Sequence, residues 1–180
     1  MDGFVYCLDL NDGKEIWRFR TGDNILSTPQ IIGKMVYIGS YDCNLYAINA
    51  ENGREAWRFK TGGAVLNFAQ FLVKDNIIYF GSWDSNLYAI DAKTGKELWR
   101  FKTGNGTMSS PLYYENTLYF GSKDGFIYAL NMEGKEMWRY KSELYLHSTV
   151  IVEKNGIIYF GGGDYRYLYG YVYALSADGR

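Results

Sequence analysis

The sequence predicts an all-β protein: a β-propeller whose blades have about 40 residues and four strands each. Two observations carry this prediction. The pattern Asp…Tyr…Gly…Trp recurs four times along the 180 residues, and its Trp residues are separated by 40, 42 and 39 residues. The composition, with 18 Tyr, 10 Phe, 21 Gly and only 2 Pro, is typical of many short strands joined by tight turns.

One copy of the repeat shows how the four strands, here called A to D, are expected to run. Residues 64–73 are a mixed apolar segment and predict strand A, and residues 77–80 form the continuous apolar run typical of a strand B buried on both faces. Strand C follows at 87–90. A hairpin in which Gly95 is expected to have a positive φ leads to strand D. Strand D, at 97–102, alternates apolar and charged residues, as an exposed edge does.

The chain is expected to form a single propeller domain or fragment over residues 1–180, with blade boundaries near 23, 63, 105 and 143. It begins with strands C and D of one blade, continues with three complete blades, and ends with strands A to C of another. This makes 17 strands and roughly four blades, a partial or half ring. A flat β-solenoid is a minor alternative.

Such an arc has two open ends, which expose unpaired strand edges. Because propellers have roughly four to eight blades, we expect a homodimer in which two copies complete one ring of about eight blades. A four-bladed ring closed on itself and an excerpt of a longer propeller are the alternatives.

Charge and hydropathy exclude some partners. The net charge of −1 gives no electrostatic reason to expect nucleic acid, and no apolar run approaches the roughly 20 residues of a membrane span. Cys7 and Cys43 occupy different repeat positions, so they are expected to be incidental rather than a required disulfide. Met1 is followed at once by the first repeat, without a signal peptide, which indicates a cytosolic chain or a mature or excised piece.

Residues 87–104 read Leu-Tyr-Ala-Ile-Asp-Ala-Lys-Thr-Gly-Lys-Glu-Leu-Trp-Arg-Phe-Lys-Thr-Gly. This motif resembles the repeat of quinoprotein-like (PQQ-type) β-propellers, and the resemblance covers essentially the whole chain. It implies an extracytoplasmic location and a docking girdle in which the Trp of one blade packs on backbone and small side chains of the next. The implied docking residues are Trp17, Trp57, Trp99 and Trp138, with Ala47, Ala89, Ala129 and Ala174 as the small partners.

The family contains quinone- and calcium-dependent dehydrogenases and also non-catalytic scaffolds. The dehydrogenase pattern includes an adjacent Cys pair over the quinone, which this chain lacks. We therefore expect a non-enzymatic scaffold or binding module for protein or small-ligand interaction, without a cofactor. A PQQ-dependent dehydrogenase or its remnant, and a purely structural or engineered repeat module, remain the alternatives.

An Asp recurs before each strand C, at positions 42, 84, 124 and 164. Asp-Gly and Asp-X-Asn sequences are turn chemistry, in which the carboxylate caps its own backbone. A calcium site would need several oxygens from one loop, and no loop is dense enough in acids. The basic residues of the D strands have Glu residues beside them, which indicates a solvated edge rather than a nucleic-acid surface.

Three features suggest binding. The only His shares its repeat slot with Ser27, an Asn and Ser109, which predicts a polar ring near a central channel. One Trp lies off the repeat position, in a turn between strands B and C, where it could stack a ligand. The insertion at 164–170 is rich in Tyr, and we expect it to contact a protein partner or to form an elongated hairpin. The candidate binding residues are Trp83, Asn67, His147, Tyr165, Arg166, Tyr167 and Tyr169.

Overall fold

A computed structural model describes residues 2–66, 71–107, 109–142, 145–146, 151–152, 155–164 and 169–178. These residues contain 18 strands arranged in five antiparallel sheets. The first sheet pairs β1 (Phe4–Leu8) with β2 (Glu15–Arg20). The second contains β3 (Gln30–Ile32), β4 (Met35–Gly39), β5 (Asn44–Asn49) and β6 (Glu55–Lys60).

The third and fourth sheets repeat the second, with each strand paired to its neighbour in chain order. The third contains β7 (Leu72–Lys74), β8 (Ile77–Ser82), β9 (Asn86–Asp91) and β10 (Glu97–Lys102). The fourth contains β11 (Leu112–Tyr114), β12 (Thr117–Gly121), β13 (Phe126–Asn131) and β14 (Glu136–Lys141).

The last sheet has its strand A in two pieces. The short strands β15 (Tyr145–Leu146) and β16 (Ile151–Val152) both pair with β17 (Ile157–Asp164), which also pairs with β18 (Tyr169–Ser176). This division gives 18 strands where the sequence predicts 17. No strand pairing among the described residues joins the first sheet to the last, so the blades form an open arc. The predicted all-β fold, with four-stranded propeller blades in a partial ring, is confirmed.

Strand A is shorter than predicted, because part of the predicted segment serves the contact between blades. In the third blade β7 spans only Leu72–Lys74. Upstream of it, the backbone N–H of Val65 donates a hydrogen bond to the carbonyl oxygen of Ser40, in the preceding blade, over 3.1 Å. This part of the segment therefore joins two blades instead of extending its own sheet.

The hydrophobic core lies between neighbouring blades. Strands B and C are buried along most of their length, as their continuous apolar runs predict. The ring of Phe59 packs edge-on against Phe80 and Tyr88 of the next blade, with centroids 6.1 and 5.3 Å apart, and Phe101 repeats this contact one interface further on. Each blade therefore needs a neighbour to bury its apolar face.

The Trp of strand D contacts the C–D hairpin of the next blade. The indole Nε1–H of Trp57 donates a hydrogen bond to the carbonyl oxygen of Ala92 over 3.1 Å. The ring lies against Gly95, where an added Cβ atom would come within 2.7 Å of a ring carbon. Gly95 also has a φ of +69°, as predicted, in the region where a side chain is strained. Both facts require Gly at this position.

The same contact occurs at two further interfaces. The donor and acceptor pairs are Trp17 with Ala50 (2.9 Å) and Trp99 with Met132 (3.1 Å), and the facing glycines are Gly53 and Gly134. The energetic role of these Trp residues in locking the blades stays a prediction.

The alanines expected to receive the Trp across the interface instead lie on its own blade. They stand directly opposite it on strand C, where a small side chain leaves room for the indole. The cross-strand pairs are Ala47 with Trp57, Ala89 with Trp99, and Ala129 with Trp138. Ala174 lies in β18, which pairs only with β17 among the described strands. Across the interface, the partners of the first three Trp residues are the hairpin glycine and a carbonyl.

One buried Tyr breaks the repeat. The hydroxyls of Tyr37 and Tyr119 each donate to a hairpin carbonyl of the next blade, over 3.2 Å. Tyr79 holds the same position and is fully buried, but its hydroxyl has no partner among the described residues. The hairpin facing it, at 131–135, is one residue shorter than its counterpart at 91–96. Burial raises the pKa of Tyr79 to about 12, so the unpaired hydroxyl stays protonated at neutral pH.

We predict that Tyr79→Phe leaves the free energy of unfolding unchanged or raises it, because the substitution removes an unpaired buried hydroxyl. Tyr37→Phe is the matched control and is expected to cost about 1 kcal/mol, because it removes a hydrogen bond between blades. Urea unfolding at one protein concentration measures both. An equal cost for the two variants would contradict the assignment of Tyr79.

Candidate functional site

The turn between strands B and C is built around a carboxylate that reaches two blades. In the third blade, Oδ1 of Asp84 accepts a hydrogen bond from the backbone N–H of Asn86 over 3.0 Å. Its Oδ2 accepts from the hydroxyl of Tyr88 and from the backbone N–H of Gly62, each over 2.7 Å. Gly62 follows strand D of the preceding blade. The Asp therefore caps its own turn, as expected, and also fastens the preceding blade.

This fastening occurs at three interfaces. The repeated bonds join Gly22 to Asp42 (2.6 Å), Gly62 to Asp84 (2.7 Å) and Gly104 to Asp124 (2.7 Å). Within each complete blade, a Lys at the end of strand D also bonds the Asp carbonyl oxygen through its ammonium, as Lys102 does to Asp84 over 2.7 Å. The Asp–Gly link between blades was not predicted from the sequence, although the Gly after each of the first three D strands was the available signal.

Hydrogen bonds keep the Asp carboxylates of these turns ionised. Partial burial alone would raise the pKa of Asp84, but the bonds from Tyr88, Gly62 and Asn86 outweigh it and hold the pKa below the ordinary 3.8. The pKa of Asp42 is lowered in the same way. Burial and the neighbouring carboxylate together raise the pKa of Tyr46 to about 12. The carboxylates are thus ionised at neutral pH and engaged as acceptors.

Trp83 lies in the same turn as Asp84, as predicted, and its side chain is 43% exposed. Its backbone N–H donates to the carbonyl oxygen of Ala64 over 3.0 Å, which ties the turn to the segment between β6 and β7. The Lys123 ammonium lies 4.9 Å from the centre of the indole, and the ring of Tyr41 meets it at 73° with centroids 6.1 Å apart. These three residues hold equivalent positions in consecutive blades and form a mixed aromatic and cationic surface.

The prediction of a polar ring is wrong at Ser27 and Ser109. Ser27 and Ser109 are buried, with 6% and 1% exposure. The Ser27 hydroxyl donates to the carbonyl oxygen of Gly39 over 2.6 Å, and Ser109 bonds Gly121 in the same way over 2.8 Å. These hydroxyls bond the last residue of strand B of their own blade and are buried there.

Five of the remaining candidate binding residues lie outside the described residues: Asn67, His147, Tyr165, Arg166 and Tyr167. The backbone of Tyr169 begins β18, opposite Asp164. The insertion thus lengthens the β17–β18 hairpin, which was one of the two alternatives for this segment, and its contact with a protein partner stays a prediction.

The described part of the chain contains no group of three or more His, Cys, Asp or Glu residues arranged to hold a metal ion. Cys7 and Cys43 are free thiols. No helix within the described ranges is long and apolar enough to cross a membrane.

The stacked four-stranded blades and their repeated Trp–Gly and Asp–Gly contacts define a β-propeller. A family model described as outer membrane protein assembly factor BamB matches residues 1–71 and 68–180. The chain therefore belongs to this family. No curated protein has a sequence that matches it.

Among the solved structures that share the fold are two designed proteins. The computationally designed Ika8 protein superposes with a TM-score of 0.81 at 18% identity, over 97% of this chain and 53% of that chain. The designed Ika4 protein superposes with a TM-score of 0.72 at 18% identity, over 87% of this chain and 92% of that one. At this identity the likeness shows the fold alone. The chain spans about half the length of the Ika8 chain.

We predict that Asp84→Asn lowers the free energy of unfolding at pH 7 by about 1 kcal/mol or more, because an amide oxygen cannot replace both carboxylate oxygens. The folded-state pKa of Asp84 lies below 3.8. Its stabilisation is therefore present above about pH 4 and lost as the pH falls through that folded-state pKa.

Thermal melts of parent and variant between pH 7 and pH 3 test this prediction. The difference between the two is expected to be largest at pH 7 and to narrow towards pH 3. Asp75→Asn, an exposed turn residue paired with Lys74, is the control and should follow the parent throughout. A difference that stays constant with pH would contradict the role given to the Asp84 carboxylate.

Proposed function

We propose that this chain is a non-enzymatic propeller scaffold whose two open ends bind a second copy, so that two chains complete one ring of about eight blades. One observation carries the proposal: repeat positions that are buried in the interior blades are exposed in the first and last blades.

In the first blade the exposed positions lie on strand C. Tyr6 is 45% exposed, whereas Tyr88 at the same repeat position is 2% exposed. Leu8 is 51% exposed, whereas its counterpart Ile90 is fully buried. Among the described residues no strands A and B pair with β1, so one edge of β1 is unpaired there.

The last blade shows the complementary exposure. Val172 in β18 is 79% exposed, whereas its counterparts Leu45 and Leu87 are fully buried. No strand D pairs with β18 among the described residues. Unpaired edges with exposed apolar side chains are templates for association.

A second copy is the occupant that we propose, because each end supplies what the other lacks. The last blade has strands A to C and needs a strand D, and the first blade has strands C and D and needs strands A and B. Each junction would hold one C strand more than a blade needs, so we expect its pairing to differ from that of the interior blades. A closed two-fold ring leaves no free end.

The non-enzymatic part of the proposal rests on the recurring carboxylates. Asp42, Asp84 and Asp124 accept hydrogen bonds from two blades, which supports a structural use. The description of the family as an outer membrane protein assembly factor supports a role in binding proteins, and the elongated β17–β18 hairpin is the surface that we propose for a protein partner.

Light scattering on a dilution series tests whether two chains associate into one ring. We expect a mass near twice 20.7 kDa that persists on dilution. Val172→Lys should shift the mass towards the monomer, because it places a charge in the proposed junction. The control Ile31→Lys changes a residue that is 67% exposed in an interior blade and should leave the dimer intact.

A stable monomer at all concentrations would contradict the paired ring. The same samples, mixed with pyrroloquinoline quinone, calcium, an alcohol or sugar, and a dye acceptor, should show no turnover. Saturable quinone binding with dye reduction would contradict the non-enzymatic role and favour the dehydrogenase alternative.

A further inference from the structure

An open cavity lies between the second and third blades, on the side of the A–B and C–D hairpins. Its volume is about 400 Å³, within the range of small-molecule sites. The deeper wall includes the buried side chains of Tyr37 and Ala92, with Met35 and Val73 beside them. The lining is predominantly apolar.

The cavity exists because this interface carries small residues where the next interface carries large ones. Val73 and Ala92 line it. The corresponding residues one blade further on are Tyr113 and Met132, and both pack there on the cluster around Tyr79. The ring of Tyr113 is also covered by the Lys74 ammonium, 4.5 Å from its centre. The same repeat thus fills this space at one interface and leaves it open at the other.

The charge at the mouth of the cavity is also distinctive. Lys93 lines the cavity and is exposed. Acidic residues, Glu51 and Glu133, hold the corresponding hairpin position in the second and fourth blades. Within the described ranges Lys93 takes part in no ion pair, and it is the charged residue of the lining. An apolar cavity with one free cation at its rim is complementary to an anion with an apolar body.

We propose that this cavity binds a small carboxylate with a compact apolar body, such as a medium-chain alkanoate. The apolar part lies among Met35, Tyr37 and Val73, and the carboxylate lies at Lys93. The Asn76 amide, which also lines the rim, donates to the Asp91 carboxylate over 3.2 Å and so faces a charge already in place. The proposal does not depend on the two-fold ring, because both walls belong to interior blades.

Octanoate is the probe, titrated into the isotopically labelled protein while backbone amide shifts are recorded. We expect saturable shifts confined to the hairpins around the cavity, with a dissociation constant on the order of 1 mM, as is typical of so small a ligand. Octanol should bind more weakly than octanoate, and octylamine more weakly still.

Two variants introduce at this interface the residue types that the next interface has at the same positions, Tyr113 and Met132. Val73→Tyr and, independently, Ala92→Met fill the cavity, and each should weaken octanoate binding more than tenfold. Lys93→Glu should weaken octanoate binding up to roughly fivefold, the size of an exposed charge pair, and leave octanol unaffected. Lys135→Glu, on the fourth blade, is the matched control and should change neither.

Three results would overturn the proposal. These are an absence of saturable shifts, binding that survives in both filled variants while they remain folded, and octylamine binding as strong as that of octanoate.

Discussion

An indole ring packed against a glycine of the next blade constrains the rest of the arc. At Gly95 the backbone has a φ of +69°, and an added Cβ would lie 2.7 Å from the ring of Trp57. The hairpin can therefore approach the Trp only without a side chain. Because the Trp57 indole also donates a hydrogen bond to the carbonyl oxygen of Ala92 in the same hairpin, the ring is fixed in position and orientation. Repetition of this contact at successive interfaces gives each blade a defined placement on the one before it.

A second contact fastens the opposite ends of the same strands. Strand C begins at the Asp turn, where Asp84 accepts the backbone N–H of Gly62 from the preceding blade, and it ends at the C–D hairpin, which receives the Trp. Each interior blade is thus held at both ends. In the first blade, the bonds that Asp2 accepts from described residues come from Phe4 and Tyr6 of its own blade. Apolar residues are likewise exposed at the two ends of the arc.

Much of the blade architecture could be predicted from the sequence, because the same residues recur at the same positions in several copies of the repeat. The strand order, the Trp contact, the Gly95 hairpin and the Asp turn all recur in phase. The partners across an interface could not be predicted so well, because a repeat shows which residues recur but not which copy they touch. Ala47 thus lies beside the Trp of its own blade, and Ser27 is buried against Gly39. The cavity depends on two small residues, Val73 and Ala92, at positions where the next blade has Tyr113 and Met132, and their significance requires the packed interface.

A double-mutant cycle on Trp57 and Gly95 tests most directly whether the indole–glycine contact couples the blades. Gly95→Ala introduces both backbone strain and a clash with the ring, and only the clash depends on Trp57. The account predicts that Gly95→Ala costs at least about 1 kcal/mol more in the parent than in a Trp57→Leu background. Gly134→Ala, whose hairpin faces Trp99 instead, should cost the same in both backgrounds. Equal costs of Gly95→Ala in the two backgrounds would contradict the account.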